Sequence, residues 1–218
     1  MKKKLAIFDL DGTLIDAFDS IYQTINYICE KLNIEKFEYE KVKRAVGEGD
    51  LKLIINLFKN EQLVKKAHIF YRENYLKFIK NNVKVLDGAC EFLNQLKEKE
   101  IKIALATNRS KFSLIPILKE TNLEEFFDTF LCADDVERIK PDSEMIFKII
   151  EKFNLNIKET FYVGDMYIDY LTGINAGVDT YIVLTGAGKI EDFKIYNSAL
   201  LFENLNKLNK FLVENKII

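Results

Sequence analysis

The chain has 218 residues, 48% hydrophobic and 30% charged, with 17 Phe and 10 Tyr, which is enough apolar material for a proper core and argues against disorder or a disulfide-stapled fold. Acidic and basic residues nearly cancel, 34 against 32 with a formal net charge of −2, so no broad basic surface for nucleic acid is expected. One histidine, His68, and three scattered cysteines, Cys29, Cys90 and Cys132, exclude zinc held by a His pair and a C-x-x-C ribbon and argue against a Ser-His-Asp triad, leaving mainly oxygen ligands and a hard ion for any metal.

The chain opens with Met-Lys-Lys-Lys and then the short apolar run Leu5-Ala6-Ile7-Phe8, the length of a buried strand, closed by Asp9-Leu10-Asp11-Gly12-Thr13 with a turn at Gly12. From Asp16 to about Val85 the pattern is helical: Phe18, Ile21, Ile25, Ile28 and Leu32 share one face, and Leu51, Ile54, Leu57 and Phe58, then Leu63, Ala67, Phe70, Tyr71 and Phe78, continue it. No convincing strand interrupts these residues. After Gly88 a helix over Glu91–Lys99 precedes the strand Ile101–Ala106, which ends at Thr107-Asn108. A helix over Lys111–Thr121, a strand over Thr129–Ala133 and a helix over Ser143–Phe153 behind Lys140-Pro141 follow. Thr160–Val163 is the next strand, ending at Gly164-Asp165, then come a short helix, the strand Thr180–Leu184, a last strand Ala199–Phe202 and a helix Leu205–Val213.

Strand and helix in turn predict an α/β fold, a Rossmann-like parallel sheet covered by helices on both faces. The all-helical stretch is an insertion after the first strand, so the expected division is a core of 1–15 and 86–218 and a helical cap domain of 16–85. Asp9 and Asp11 interrupt the first apolar run, and no later stretch reaches the roughly 18 uncharged residues of a membrane span. The expectation is a cytoplasmic protein with reduced core thiols and no membrane partner.

Ligands of parallel α/β sheets bind beyond the carboxyl ends of the strands. There the sequence offers Asp9 and Asp11 after the first strand, Thr107 and Asn108 after the second, and Asp165 and Asp169 after the fourth, with Lys140 on the connection before it. Each alone is ordinary in a turn or at a helix start. Four carboxylates and a lysine at one edge would repel one another without a cation.

Phe8-Asp9-Leu10-Asp11-Gly12-Thr13-Leu14, Thr107-Asn108, Lys140-Pro141 and Val163-Gly164-Asp165-x-x-x-Asp169 resemble, in order and over essentially the whole chain, the four motifs of the haloacid dehalogenase-like superfamily. The insertion resembles the cap of its helical-cap members, and Ala45–Leu51 is similar to the glycine-containing cap loop of phosphoglycolate phosphatases. The resemblance implies a phosphatase acting on a small phosphorylated metabolite, as a monomer or homodimer. It makes Asp9 the nucleophile that forms an aspartyl-phosphate and Asp11 the acid and base for leaving alcohol and water. It implies Mg²⁺ on the Asp9 carboxylate, the Asp11 carbonyl and Asp165, with Asp169 orienting Lys140 or a metal-bound water. Thr107, with Gly12, Thr13 and Asn108 around it, would bind the phosphoryl group, and Lys140 would neutralise its charge.

In the cap loop, Arg44, Gly47 and Glu48 are candidate substrate contacts, with Lys52 nearby. His68, Tyr71 and Tyr75 read as structural, and Arg109 either touches phosphate or forms a surface ion pair. The alternatives on the same core are a phosphomutase and an inorganic pyrophosphatase. A non-enzymatic alternative is a phospho-accepting switch domain, which also uses Asp, Thr, Lys and Mg²⁺.

Overall fold

The computed structural model describes residues 2–196 and 198–218. Its centre is the strand β1 (Leu5–Phe8), every residue of which is buried. β1 pairs in parallel with β4 (Lys102–Ala106) on one side and with β6 (Thr160–Gly164) on the other. With β5 (Thr129–Leu131), β7 (Asp179–Val183) and β8 (Leu200–Phe202), they form one sheet in the order β5-β4-β1-β6-β7-β8, parallel throughout. The chain winds outward from β1 in one direction and then, from β6, in the other. β1 and β6 therefore flank the topological switch point.

Alternation along the strands supplies both faces with apolar side chains. Ala6, Phe8, Ile103, Leu105 and Phe161 pack with α5 (Ala89–Glu98), α6 (Lys111–Glu120) and α9 (Leu205–Glu214). Leu5, Ile7, Ala104 and Tyr162 pack with α7 (Glu144–Lys152), through Met145, Ile146 and Ile149, and with Ala176 at the end of α8 (Tyr167–Ala176). Helices thus cover both faces.

The segment between β1 and α5 contains α1 (Phe18–Leu32), α2 (Tyr39–Arg44), α3 (Asp50–Phe58) and α4 (Glu61–Asn74). Its helices bury most of the expected apolar stripe: Ile21, Ile25, Ile28, Ile54, Leu57 and Ala67 are inside, whereas Leu51, expected with them, is exposed in the first turn of α3. The reading of 16–85 as free of strand needs one correction. Two-residue strands β2 (Ile15–Asp16) and β3 (Lys84–Val85) bracket the helices and pair antiparallel, Ile15 opposite Val85. Two residues carry no usable periodicity, so only the tertiary pairing reveals them.

Candidate active site

Asp9 continues β1 into the switch point, its N–H donating to the Val163 carbonyl of β6 at 2.8 Å. Asp11 follows two residues on. Gly12 then turns the chain at φ +80°, where a Cβ would stand 2.5 Å from Asp165 Oδ2, so both conformation and space require glycine. Thr13 is fully buried, its hydroxyl without a hydrogen-bond partner among the described residues. Thr107 and Asn108 leave β4 beside this turn. Lys140 enters from the connection between β5 and α7, Asp165 from the end of β6, and Asp169 from the first turn of α8.

Lys140 is 2% exposed and uses its ammonium in three directions. It donates to Asp9 Oδ1 at 2.6 Å, Asp169 Oδ1 at 2.7 Å and the Tyr162 hydroxyl at 3.0 Å. Tyr162 in turn donates to Asp169 Oδ1 at 2.7 Å. The second oxygen of Asp169 accepts from the backbone N–H of Asp165 and Met166. Both Asp169 oxygens are therefore committed to holding Lys140 and the start of α8. Asp165 presents one oxygen to the Ala187 N–H at 2.8 Å, while its Oδ1 is buried with no partner among the described residues.

Burial raises the Asp9 carboxyl to about 7, against the attraction of Lys140 and with the repulsion of Asp169. Burial and then the charges of Asp169 and Asp9 push Asp165 well above the usual carboxylate range. Burial opposes the charge on Lys140, but Asp169 and Asp9 override it and hold the ammonium proton more firmly than usual. One cation does not neutralise three buried carboxylates. Asp9, Asp165 and Asp169 each offer an oxygen within 4.8 Å of the others. An all-oxygen donor set with uncompensated negative charge fits a hard divalent cation such as Mg²⁺.

Arg109 is not a surface residue. Its side chain is 4% exposed and grips Asp11 with two parallel bonds, Nε to Oδ2 at 2.5 Å and Nη2 to Oδ1 at 2.8 Å. The guanidinium also lies over the Tyr75 ring, 5.3 Å from its centroid, and the Arg109 N–H donates to Thr107 Oγ1 at 3.2 Å. A surface ion pair was one reading of this residue; the α4 side of the helical segment covers it instead.

The helical segment lies directly over the carboxylates. Phe18, Ile21, Val46, Leu53 and Tyr71 roof a cavity floored by Asp9, Asp11, Thr107, Asn108 and Lys140. It has room for about two or three waters. The loop between α2 and α3 presses onto the core: Asn108 Nδ2 donates to the Gly47 carbonyl at 3.0 Å, and a Cβ at Gly47 would stand 2.6 Å from Met166 Sδ. Ser110 Oγ donates to the half-buried Asp50 carboxylate at 2.6 Å. Gly47, Gly49 and Asp50 line the cavity, whereas Glu48 lies in an outer groove with Lys52 and His68. Arg44 does not reach it either. Its guanidinium holds both oxygens of Asp192, at 2.7 and 2.9 Å, and the Ala187 carbonyl at 2.7 Å.

Sequence reasoning missed Tyr162, Asp50 and the inward role of Tyr71. Tyr162 carried one signal, a lone phenol within a fully buried strand, where its hydroxyl needs a partner. Asp50 carried none beyond its place at the start of a helix.

The model of the haloacid dehalogenase-like hydrolase family matches residues 6–183. A pyrophosphatase PpaX of Bacillus mycoides is 29% identical over 199 residues, 89% of this chain and 91% of that protein. A phosphoglycolate phosphatase of Agrobacterium fabrum is also 29% identical, over 84% of this chain and 81% of the relative. Among solved structures, a predicted phosphoglycolate phosphatase from Haemophilus somnus superposes with a TM-score of 0.90 at 22% identity, covering 97% of this chain and 98% of that one. At that identity the superposition speaks for the fold. The chain belongs to the haloacid dehalogenase-like hydrolases and is an enzyme of their phosphatase kind.

Proposed function

We propose that the chain is a Mg²⁺-dependent phosphatase that hydrolyses a small phosphate ester or diphosphate through an aspartyl-phosphate on Asp9. The observation that carries this reading is the Asp9 carboxylate, buried at the end of the central strand, with one oxygen held by Lys140 and with Asp165, one oxygen of which has no partner among the described residues, in the same cluster. The second Asp9 oxygen attacks phosphorus as the bond to the leaving group breaks, and Asp11, keeping its bond to Arg109 Nε and giving up the one to Nη2, delivers a proton from the freed oxygen to the leaving oxygen. Asp11 then takes a proton from water as that water attacks phosphorus, breaking the bond to Asp9 and releasing phosphate. Thr107 can donate its hydroxyl hydrogen to the phosphoryl group while its oxygen accepts from Arg109. Lys140 stays charged beside Asp9 and balances the phosphoryl oxygens.

Mg²⁺, held by the carboxylates of Asp9 and Asp165 with the Asp11 carbonyl, would supply positive charge to the phosphoryl oxygens. Asp169 is a positioning residue, since Lys140 and backbone amides occupy its oxygens. We read 16–85 as a cap domain, because a cavity of a few waters admits no phosphate ester until the helical roof lifts. The enzyme would work in the cytoplasm on a soluble metabolite. No helix among the described residues is long and apolar enough to cross a membrane.

The test is continuous phosphate release from p-nitrophenyl phosphate with Mg²⁺, followed by a screen of phosphorylated metabolites, pyrophosphate and phosphoglycolate included. Many turnovers per active site are expected. Uptake of a single phosphoryl group from acetyl phosphate without further release would instead identify a switch domain.

A further inference from the structure

Arg109 donates its backbone N–H to Thr107 Oγ1, and among the described residues Asp11 alone accepts hydrogen bonds from its side chain. That accounts for Nε and one hydrogen of Nη2, out of five N–H donors on the guanidinium. Nη1 is buried with no partner among the described residues, in a side chain 4% exposed that lines the cavity. Across the same cavity, Tyr71 comes from α4. It is fully buried, stacks on Tyr75 with ring centroids 5.0 Å apart, and its hydroxyl is also without a partner. Two buried donors left unpaired would each cost free energy unless the bound state supplies an acceptor. Ile21, Leu53 and Val46 beside them offer nothing to bond, and the Asp50 carboxylate, whose charge acts on both, is engaged by Ser110 Oγ.

We propose that Nη1 of Arg109, with the Tyr71 hydroxyl, binds an anionic oxygen on the leaving half of the substrate, making Arg109 a specificity-determining residue for this reaction. The inference rests on the phosphatase reading of the site, because it takes Asp11 as the group beside the leaving oxygen. The ion pair with Asp11 fixes the guanidinium plane, and the Tyr75 ring lies against one face of it. The hydrogens left over are the two of Nη1 and the second of Nη2. A donor clamped in this way loses little further freedom on binding. The ligand chemistry that matches it is a second phosphate or a carboxylate attached to the leaving oxygen. A leaving group that is merely apolar leaves both donors to the few waters the site can hold. Arg109 comes from the sheet and Tyr71 from the helical segment, so such a ligand is gripped from both sides only when the roof is down.

The experiment measures kcat/KM of wild type, Arg109→Gln, Arg109→Lys and Tyr71→Phe with Mg²⁺ on two substrates in parallel: pyrophosphate or phosphoglycolate as anionic leaving halves, and p-nitrophenyl phosphate as a neutral one. Loss of the Asp11 clamp lowers both rates, so the readout is their ratio. Arg109→Gln is expected to lower the anionic-to-neutral ratio on the order of tenfold to hundredfold. Arg109→Lys, which keeps charge without the fork, should fall between, and Tyr71→Phe should lower the ratio severalfold while leaving the Asp11 pair intact. If Arg109→Gln fails to fold by circular dichroism, Tyr71→Phe and Arg109→Lys decide the matter by the same ratio. An unchanged ratio in the variants that fold would mean that Nη1 and the hydroxyl hold only water, and the proposal falls. A wild type that turns over none of these substrates would instead defeat the phosphatase reading beneath it.

Discussion

Replacing the nucleophile should make the protein more stable. Asp9→Asn keeps the shape of the side chain and an oxygen for Lys140, and removes a charge the fold holds at a loss. The Asp9 carboxyl titrates near 7 in the folded protein against 3.8 unperturbed, chiefly because burial disfavours its ionised form. The folded state therefore binds this proton more tightly than the unfolded chain does. Ionised Asp9 subtracts nothing from stability below pH 3.8, a growing amount between 3.8 and 7, and its full amount above 7. The separation of the two values corresponds to at most about 4 kcal/mol, with the attraction of Lys140 already contained in it. The amide brings N–H donors with no assured partner, an opposing cost of about 1–3 kcal/mol. In EDTA at pH 8, Asp9→Asn should thus melt above wild type by about 3–9 °C for a net gain of 1–3 kcal/mol. At pH 5 roughly 1.6 kcal/mol of the penalty remains, since the unfolded carboxyl is ionised there and the folded one is not; the cost of the amide cancels it, so the two should nearly coincide. Turnover should fall by several orders of magnitude at every pH. Thermal melts at both pH values, with a phosphate-release assay alongside, test this directly. A variant no more stable than wild type at pH 8, or a gain that persists at pH 5, would refute the claim that Asp9 is an uncompensated buried charge.

Three further outcomes follow from the same geometry. Mg²⁺ should restore activity lost to EDTA and raise the wild-type Tm more at pH 8 than at pH 5, since below about 7 protons compete for Asp9; equal shifts at both pH values would point to a metal site elsewhere. Lys140→Met should abolish turnover and destabilise by about 3–5 kcal/mol, because it leaves Asp9 and Asp169 buried without their cation; a denaturant titration checks the magnitude. Arg44→Ala, Asp192→Ala and the double variant should lower kcat/KM by the same factor on every substrate, as expected of a strut between the helical segment and the core. Substrate-dependent losses in that cycle would return Arg44 to the substrate contacts.

The sheet, the winding of the chain and the residues at the switch point were legible because each rests on local pattern: short apolar runs, helical periodicity, and acidic or hydroxyl residues where strands stop. The pairings among those residues were not. Asp11 and Arg109 are 98 positions apart, Lys140 and Tyr162 are 22 apart, and Arg44 meets Asp192 across 148. No periodicity encodes such partners. Arg109 followed a recognisable motif, yet only the folded chain shows α4 burying it and turning a candidate surface charge into a clamp on Asp11. Glu48 illustrates the converse: one position from Gly47 and two from Asp50, it lies on the outer side of the loop while they face the cavity.

The ribbon of β2 and β3 constrains how the roof can lift. Both passages of the chain between sheet and helices run side by side and are bonded to each other, Ile15 against Val85 and Asp16 against Lys84, with the Leu86 N–H donating to the Leu14 carbonyl at 2.9 Å. Two independent tethers would let the helices swing, twist and slide. A pair zipped together behaves as a strap hinge, stiff to sliding and free mainly to bend across its width. The helical body would then travel along one arc, and each closure would return Tyr71 and Gly47 to the same places above Asp9.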